Sequence, residues 1–364
     1  MKSEIFFMEK AIDLAKLGKF SVTPNPMVGC IITEKNKILS EAYHNKAGCD
    51  HAEVIALKKL KRKVNKNMSM YVTLEPCCHT GKTGPCSDFI IDSGIKNIFV
   101  AMLDPNPKVK GKGIKKLRLN GINVQVGLCR DKAKEINKGF ISRLTKKRPY
   151  VIAKQALSID NKITNPRSKW LSSANSRKDV HFLRAISCAI LVGSNTIHED
   201  NPALNVRLNK KDFLTTDKIR NPVRIVLDSE LNLNIDKYKF FRGKEKKIIF
   251  NNILDKKDMS KNIDYVKVKK DSLGLNLNLI LSILAEKYDI NYLMIEPGTK
   301  LLKSLIKKDI LDELIIYKCP LIVGKSGLTS LSVEKKINGK KSILLESVKK
   351  ISNDVRITYK FLRE

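Results

Sequence analysis

The chain has 364 residues, 42% of them hydrophobic, which is too long for one typical domain and supplies enough apolar material for two buried cores. No apolar run approaches the roughly 20 residues that span a bilayer, and Lys2, Glu4, Glu9 and Lys10 charge the stretch that a signal peptide would keep apolar, so a cytoplasmic protein with no membrane partner is expected. The net charge of +33 favours anionic partners, but the lysines are dispersed without interleaved aromatics, and the basic run at 58–63 closes a helical pattern where cations meet the dipole and water; no nucleic-acid partner is expected.

In chain order, apolar periodicity predicts a helix near Phe6 to Leu17, strands near Gly29 to Thr33 and Ile38 to Tyr43, and a helix from Ala52 to about Lys61. A strand from Ser69 to Thr73, a helix from Ser87 to Asp92 and a strand from Asn97 to Met102 follow, with further helix and strand through Val126. A helical stretch from Asp131 to Thr145 closes this layered α/β domain. The polar Lys146-Lys147-Arg148-Pro149 then marks a boundary, giving domains at residues 1–147 and 148–364. The second domain opens with a strand from Tyr150 to Leu157 and a helix near Ser176 to Ser187. It continues with the strand Ala189 to Val192, strands near Ile225 and Ile248, a helix from Leu275 to Lys287 and the strand Tyr292 to Ile295, again an α/β pattern.

The chemistry is concentrated in His51-Ala52-Glu53, Thr73-Leu74-Glu75-Pro76-Cys77-Cys78-His79 and Pro85-Cys86. Zinc takes nitrogen and sulfur ligands tetrahedrally, and a catalytic site uses three protein ligands so that water can hold the fourth position. His51, Cys77 and Cys86 fill the three, and Glu53 is left over as the general acid/base. Both cysteines precede short helical patterns whose N-terminal dipoles favour thiolate. The remaining cysteines are scattered without disulfide spacing, as in a reducing compartment. Asp50 and Glu53 also match a D-x-x-E capping box, a reading outweighed by His51 between them and the Pro-Cys element downstream. Gly81-Lys82-Thr83 imitates the end of a P-loop, but Pro76 stands where its first glycine belongs, and Gly111-Lys112-Gly113 lacks the third glycine of a Rossmann fingerprint.

An H-x-E element followed by a Pro-Cys element resembles the zinc nucleobase deaminases. The second thiol arrives at Cys86 and not three residues past Cys77, and the loop between them carries an imidazole and an ammonium that suit a phosphorylated substrate. With Pro24-Asn25-Pro26-Met27-Val28-Gly29 upstream and Asp104-Pro105-Asn106-Pro107 downstream, the chain resembles the bifunctional riboflavin-biosynthesis deaminase-reductase family. The segments 148–160, Ser168-Lys169-Trp170, Leu183-Arg184-Ala185, 200–207 and Glu296-Pro297-Gly298 resemble its reductase half, so that the likeness covers nearly the whole chain.

The resemblance implies a cytidine-deaminase-like three-layer α/β/α domain followed by a dihydrofolate-reductase-like α/β domain. It implies zinc-dependent hydrolytic deamination of 2,5-diamino-6-(5-phosphoribosylamino)pyrimidin-4(3H)-one, then NADPH reduction of the ribosyl group of 5-amino-6-(5-phosphoribosylamino)uracil to ribityl. Deaminase substrate contacts are implied at Asn25, His44, His79, Lys82, Thr83 and Asn106, and reductase substrate contacts at Ser168, Arg184, Leu204, Arg207 and Glu296. NADPH contacts are implied at Ala156, Trp170, Ser172, Thr196, Asp200, Ser229 and from Gly298 onward. Lys154 is read as the charged catalytic group near the reacting sugar, and a homodimer or larger assembly is implied. Two departures stand out: Asn161 replaces a common glycine, and Asn165-Pro166-Arg167 replaces a glycine-rich segment. The alternatives are a tRNA- or polynucleotide-editing zinc deaminase with an appended binding domain, and a purely structural zinc.

Overall fold

Alternating apolar runs and helical patterns yield two α/β units in the structure, a computed structural model that describes residues 2–79, 84–107, 109–209, 212, 219–331 and 342–362. One unit holds the chain up to Lys146, and the other begins at Lys147. Among the described residues no helix is long and apolar enough to cross a membrane.

The first unit comprises α1 (Lys2–Ala15), β1 (Gly29–Glu34), β2 (Lys37–Tyr43), α2 (Ala52–Lys59), β3 (Met68–Val72), α3 (Cys86–Ser93), β4 (Asn97–Val100), α4 (Lys112–Leu119), β5 (Asn123–Val126), α5 (Arg130–Ile136) and α6 (Lys138–Lys146). Its sheet runs β2-β1-β3-β4-β5, antiparallel through β1 and parallel from β3 to β5. Cys30, Ile31 and Ile32 of β1 are fully buried, as a strand covered on both faces requires. Both α1 and α2 pack on it. Gly29 allows α1 to come that close, since an added Cβ would lie 1.9 Å from the Ala11 carbonyl oxygen. Gly29→Ala is therefore expected to destabilise this unit by about 1–3 kcal/mol through overpacking. An unchanged denaturation midpoint would mean that α1 moves aside freely.

The single helix expected over Asp131 to Thr145 is broken in two at Asn137. The cause lies far away in sequence: the buried Asn137 amide pairs with both backbone groups of Met27, accepting from Met27 N (2.8 Å) and donating to Met27 O (2.9 Å). This pins the segment that carries Asn25.

The second unit comprises β6 (Tyr150–Leu157), α7 (Ala174–Ile186), β7 (Ala189–Gly193), α8 (Ser194–Asp200), β8 (Val223–Leu227), β9 (Lys247–Asn251), β10 (Lys256–Asp258) and β11 (Ile263–Lys267). There follow β12 (Lys270–Asp271), β13 (Gly274–Leu275), α9 (Leu277–Glu286), β14 (Tyr292–Ile295), α10 (Thr299–Lys307), β15 (Glu313–Lys318), β16 (Ser342–Ile351) and β17 (Asp354–Leu362). The main sheet runs β10-β11-β9-β8-β7-β14-β6-β15-β17-β16, parallel from β11 to β15 with antiparallel edges. Strand alternation splits its core in two: Val151, Leu191 and Leu293 pack with α9 and α10, whereas Ile152, Ile190 and Met294 pack with α7 and α8. Ser173 and Asn276 cap α7 and α9 by accepting from Ser176 N and Leu279 N. Because β14 sits between β6 and β7, the connections diverge at that point, and the C-terminal strand ends there leave a crevice.

Candidate active sites

His51 begins α2 with an extended backbone and without capping it through its side chain. Cys77 follows β3, and Cys86 opens α3, where the Cys86 N–H donates to Cys77 Sγ (3.3 Å) and the Ser87 N–H to the Cys77 carbonyl (3.0 Å). The starts of α2 and α3 and the irregular segment after β3, where no helix opens directly after Cys77 as expected, bring together His51 Nδ1 and the two sulfurs, 3.1 Å from Cys86 Sγ and 3.6 Å from Cys77 Sγ, with all three atoms within 4.8 Å of one another. A tetrahedral zinc with bonds of about 2.0–2.1 Å to nitrogen and 2.3 Å to sulfur keeps such atoms roughly 3.5 Å apart, so the donor set fits the ion in both type and spacing. Cys78 is not in the cluster. Hydrogen bonding from Cys86 and from His51 holds the Cys77 thiol well below its ordinary value, while the contact with Cys77 and burial push Cys86 far up. The Cys77 contact also raises His51, against the effect of burial.

Glu53, in the first turn of α2, is 3% exposed, and its Oε2 has no hydrogen-bond partner among the described residues. Burial pushes this carboxyl up, with His51 opposing. A capping box would engage Asp50, but Asp50 instead accepts from Lys58 Nζ (2.7 Å). An orphaned buried acceptor beside a His-Cys-Cys cluster is a group waiting for a donor, which a structural zinc site does not need.

Around this centre, Asn25 Nδ2 lies 3.0 Å from His44 Nε2, whose Nδ1 lies 3.1 Å from the Asp50 carbonyl and whose ring meets His51 edge-on at 5.1 Å. Asn106 sits on the loop after β4, its N–H donating to Asp104 Oδ1 (2.8 Å). His79 is exposed and close enough to Asp104 to oppose the burial that raises that carboxyl. Lys82 and Thr83 lie outside the described residues.

In the second unit a cavity of about 730 Å³ opens at the crevice described above. Lys154 and Ala156 come from the end of β6, Thr196 and Asp200 from α8, Ser229 from just past β8, and Glu296 and Gly298 from the end of β14. Burial alone would raise the Glu296 carboxyl, but Arg184 and Lys154 outweigh it and hold it down at about 2. Arg184 NH2 donates to Glu296 Oε1 (2.8 Å), and Lys154 Nζ stands 3.9 Å from Oε2.

Other expected contacts fall outside that cavity. Trp170 is 51% exposed and lines a separate depression with His181 and Arg207. Ser168 Oγ is used in a turn, accepting from Trp170 N (3.2 Å), and the Ser172 carbonyl accepts from Arg177 (2.5 Å). Leu204 has φ 51° and a buried side chain, so it can offer a ligand only its backbone. Residues unremarked in the sequence hold this loop: buried Arg224 donates to the Ala203 carbonyl (3.2 Å), and Asn221 Oδ1 accepts from Val206 N (2.7 Å). Asn161 adopts φ 62°, the left-handed geometry that its replacement of glycine requires.

Comparison with known proteins fits both halves. Residues 1–102 match the cytidine and deoxycytidylate deaminase zinc-binding region, and residues 149–357 match the RibD C-terminal domain. The riboflavin biosynthesis protein RibD of Aquifex aeolicus is 39% identical over 366 residues, covering 97% of each chain. The chain belongs to the RibD family. The Escherichia coli RibD protein is 34% identical, covering 96% of this chain and 97% of its own. Among solved structures, Acinetobacter baumannii RibD (form 2) superposes with a TM-score of 0.90 at 30% identity, covering 99% of each chain. A Thermotoga maritima structure described as a diaminohydroxyphosphoribosylaminopyrimidine deaminase/5-amino-6-(5-phosphoribosylamino)uracil reductase gives 0.85 at 32% identity, again covering 99% of each. Like other RibD proteins, this is a bifunctional deaminase and reductase of riboflavin biosynthesis, with a zinc-binding cytidine-deaminase-like domain and an NADPH-using reductase domain. The RibD reductase domain stands where an editing deaminase would carry an appended binding module.

Proposed function

We propose that the deaminase half acts on the diaminopyrimidinone ribosylamine phosphate and the reductase half on the resulting aminouracil, the pair of activities given for the Thermotoga maritima protein. The domains are assigned to residues 1–147 and 148–364. His51, Cys77 and Cys86 are assigned as zinc ligands. Zinc supplies a Lewis acid that lowers the pKa of water toward ~7. Glu53 takes a proton from the attacking water at its unpartnered Oε2 and returns it to the departing amine. Asn25, His44, His79, Lys82, Thr83 and Asn106 are assigned to the pyrimidine and its phosphate. The observation that carries the reading is the buried, orphaned Glu53 oxygen beside the His-Cys-Cys cluster.

In the second half, bound NADPH would supply a hydride to the anomeric carbon, whose bond to the ring oxygen breaks while that oxygen takes up a proton. Ala156, Thr196, Asp200, Ser229 and the backbone from Gly298 are assigned to the nucleotide, together with Trp170 and Ser172 from the loop before α7. Lys154 and Glu296 flank the sugar, Lys154 as the catalytic cation, with Arg184, Arg207, Ser168 and the Leu204 backbone as further substrate contacts. Arg207 suits a phosphate because a planar fork binds it through two bonds, whereas Arg184 gives Nε and NH2 to Glu296 and so acts beside that carboxylate.

A Cys86→Ser variant tests the first half: bound zinc is expected to fall from one per chain to near none and ammonia release to vanish, while NADPH oxidation with the aminouracil phosphate persists. Deamination that survives the loss of metal would overturn the assignment. We also propose a cytoplasmic homodimer or larger assembly. Its support is that all eight cysteines are free and that Ile343, Leu344, Leu345 and Val348 are each at least half exposed on the edge strand β16, a surface that a partner would cover. A monomer mass in sedimentation would exclude the assembly.

A further inference from the structure

Glu75 is 3% exposed, and among the described residues its carboxylate is held by backbone N–H groups. Oε2 accepts from Asp104 N (3.1 Å) and Gly111 N (2.9 Å), and Oε1 from Gly113 N (3.0 Å) and Ile114 N (3.3 Å). The donors at Gly113 and Ile114 belong to the first turn of α4, whose N-cap Gly111 brings no side chain of its own. Glu75 thus caps that helix from across the fold, at the end where the dipole favours an anion. The contact is tight: a Cβ on Gly113 would lie 2.1 Å from the Pro76 carbonyl oxygen, one residue from Cys77. From the same carboxylate the chain of bonds runs outward through Asp104, whose Oδ1 accepts from Asn106 N (2.8 Å).

We infer that Glu75 is a positioning residue for deamination, fixing the Asp104–Asn106 loop against the turn that carries Cys77. This rests on the proposed contact of Asn106 with substrate. Replacement by glutamine keeps the shape but presents an NH2 group to one pair of N–H donors, so that pair loses its acceptor and the loop loosens. Asn106 then meets substrate less often, which weakens binding more than it slows the bound reaction.

The test is a cycle of E75Q, N106A and the double variant, each read for ammonia-release kinetics, zinc content, NADPH oxidation and amide exchange. For E75Q, KM is expected to rise about tenfold with kcat nearly unchanged. Zinc should stay at one per chain, NADPH oxidation should be unaltered, and the amides of Asp104, Gly111, Gly113 and Ile114 should exchange faster. In the N106A background the E75Q change should add little. Loss of zinc in step with kcat would overturn the inference in favour of a prop for the metal loop, as would full additivity of the two changes or an unchanged KM. If N106A alone leaves KM unmoved, the Asn106 assignment fails and takes the inference with it, whereas additivity with an active N106A effect sinks the Glu75 step alone. Should E75Q not fold, E75D, which draws the charge back by one methylene, carries the same test.

Discussion

Glu53→Gln is expected to slow ammonia release by about 10²–10⁴-fold, the usual contribution of a positioned proton carrier, while leaving zinc content and NADPH oxidation at the level of the unaltered chain. Glutamine occupies the same volume at the start of α2, so the packing around this 3%-exposed side chain survives. The exchange removes a favourable charge from the first turn of a helix, worth about 0.3–1 kcal/mol, but it also removes a carboxylate whose Oε2 is buried without a partner. Those effects oppose each other, and the domain should remain folded. What glutamine cannot do is accept a proton. His51, Cys77 and Cys86 form the cluster without Glu53 as one of its donors, so bound zinc reports directly on whether the cluster persists in the variant. A variant that retained more than about a tenth of the deamination rate would remove Glu53 from the proton path.

What the sequence disclosed and what it hid divide along contact distance. The His-Cys-Cys cluster was readable because His51 and Glu53 share one helix start and Cys77 and Cys86 lie nine positions apart, so nearness in sequence already brings the donors near each other. The parallel strands were readable because burial on both faces demands continuous apolar runs, as in Ala189 to Val192. The helix break at Asn137 was not, since its reason is Met27, 110 positions away. Glu75, quoted within the motif but given no role, and Arg224, unremarked, were hidden for the same reason: each binds backbone groups of a segment that is remote in sequence. Leu204 and Trp170 show a further limit. A family likeness can name a position, but the packing around it decides that the Leu204 side chain lies in the core and Trp170 outside the cavity at the strand ends.

Glu296→Gln is expected to destabilise the reductase unit by about 3–5 kcal/mol near neutral pH and to abolish NADPH oxidation, because it strands two largely buried cations. The side chains of Arg184 and Lys154 are 11% and 15% exposed, and Glu296, 18% exposed, is the carboxylate they share. Removing one member of a buried ion pair leaves the other without either its partner or its water, which is why the loss exceeds the net worth of the interaction. The pH dependence has a definite sign. The folded carboxyl titrates at about 2 against an ordinary value of 4.5, so its stabilisation is complete above the higher figure and fades as pH falls through the interval toward the lower one. The gap in unfolding free energy between the unaltered chain and the variant should therefore be widest above that window and shrink within it on acidification. Replacing Arg184 by methionine in the same molecule removes one stranded charge while keeping an apolar stem of similar length, so the double variant should recover part of the stability that Glu296→Gln loses, though none of the activity. A gap that stayed constant across the acid range, or a double variant less stable than either single one, would mean that Glu296 acts through packing and not through the charges it holds together.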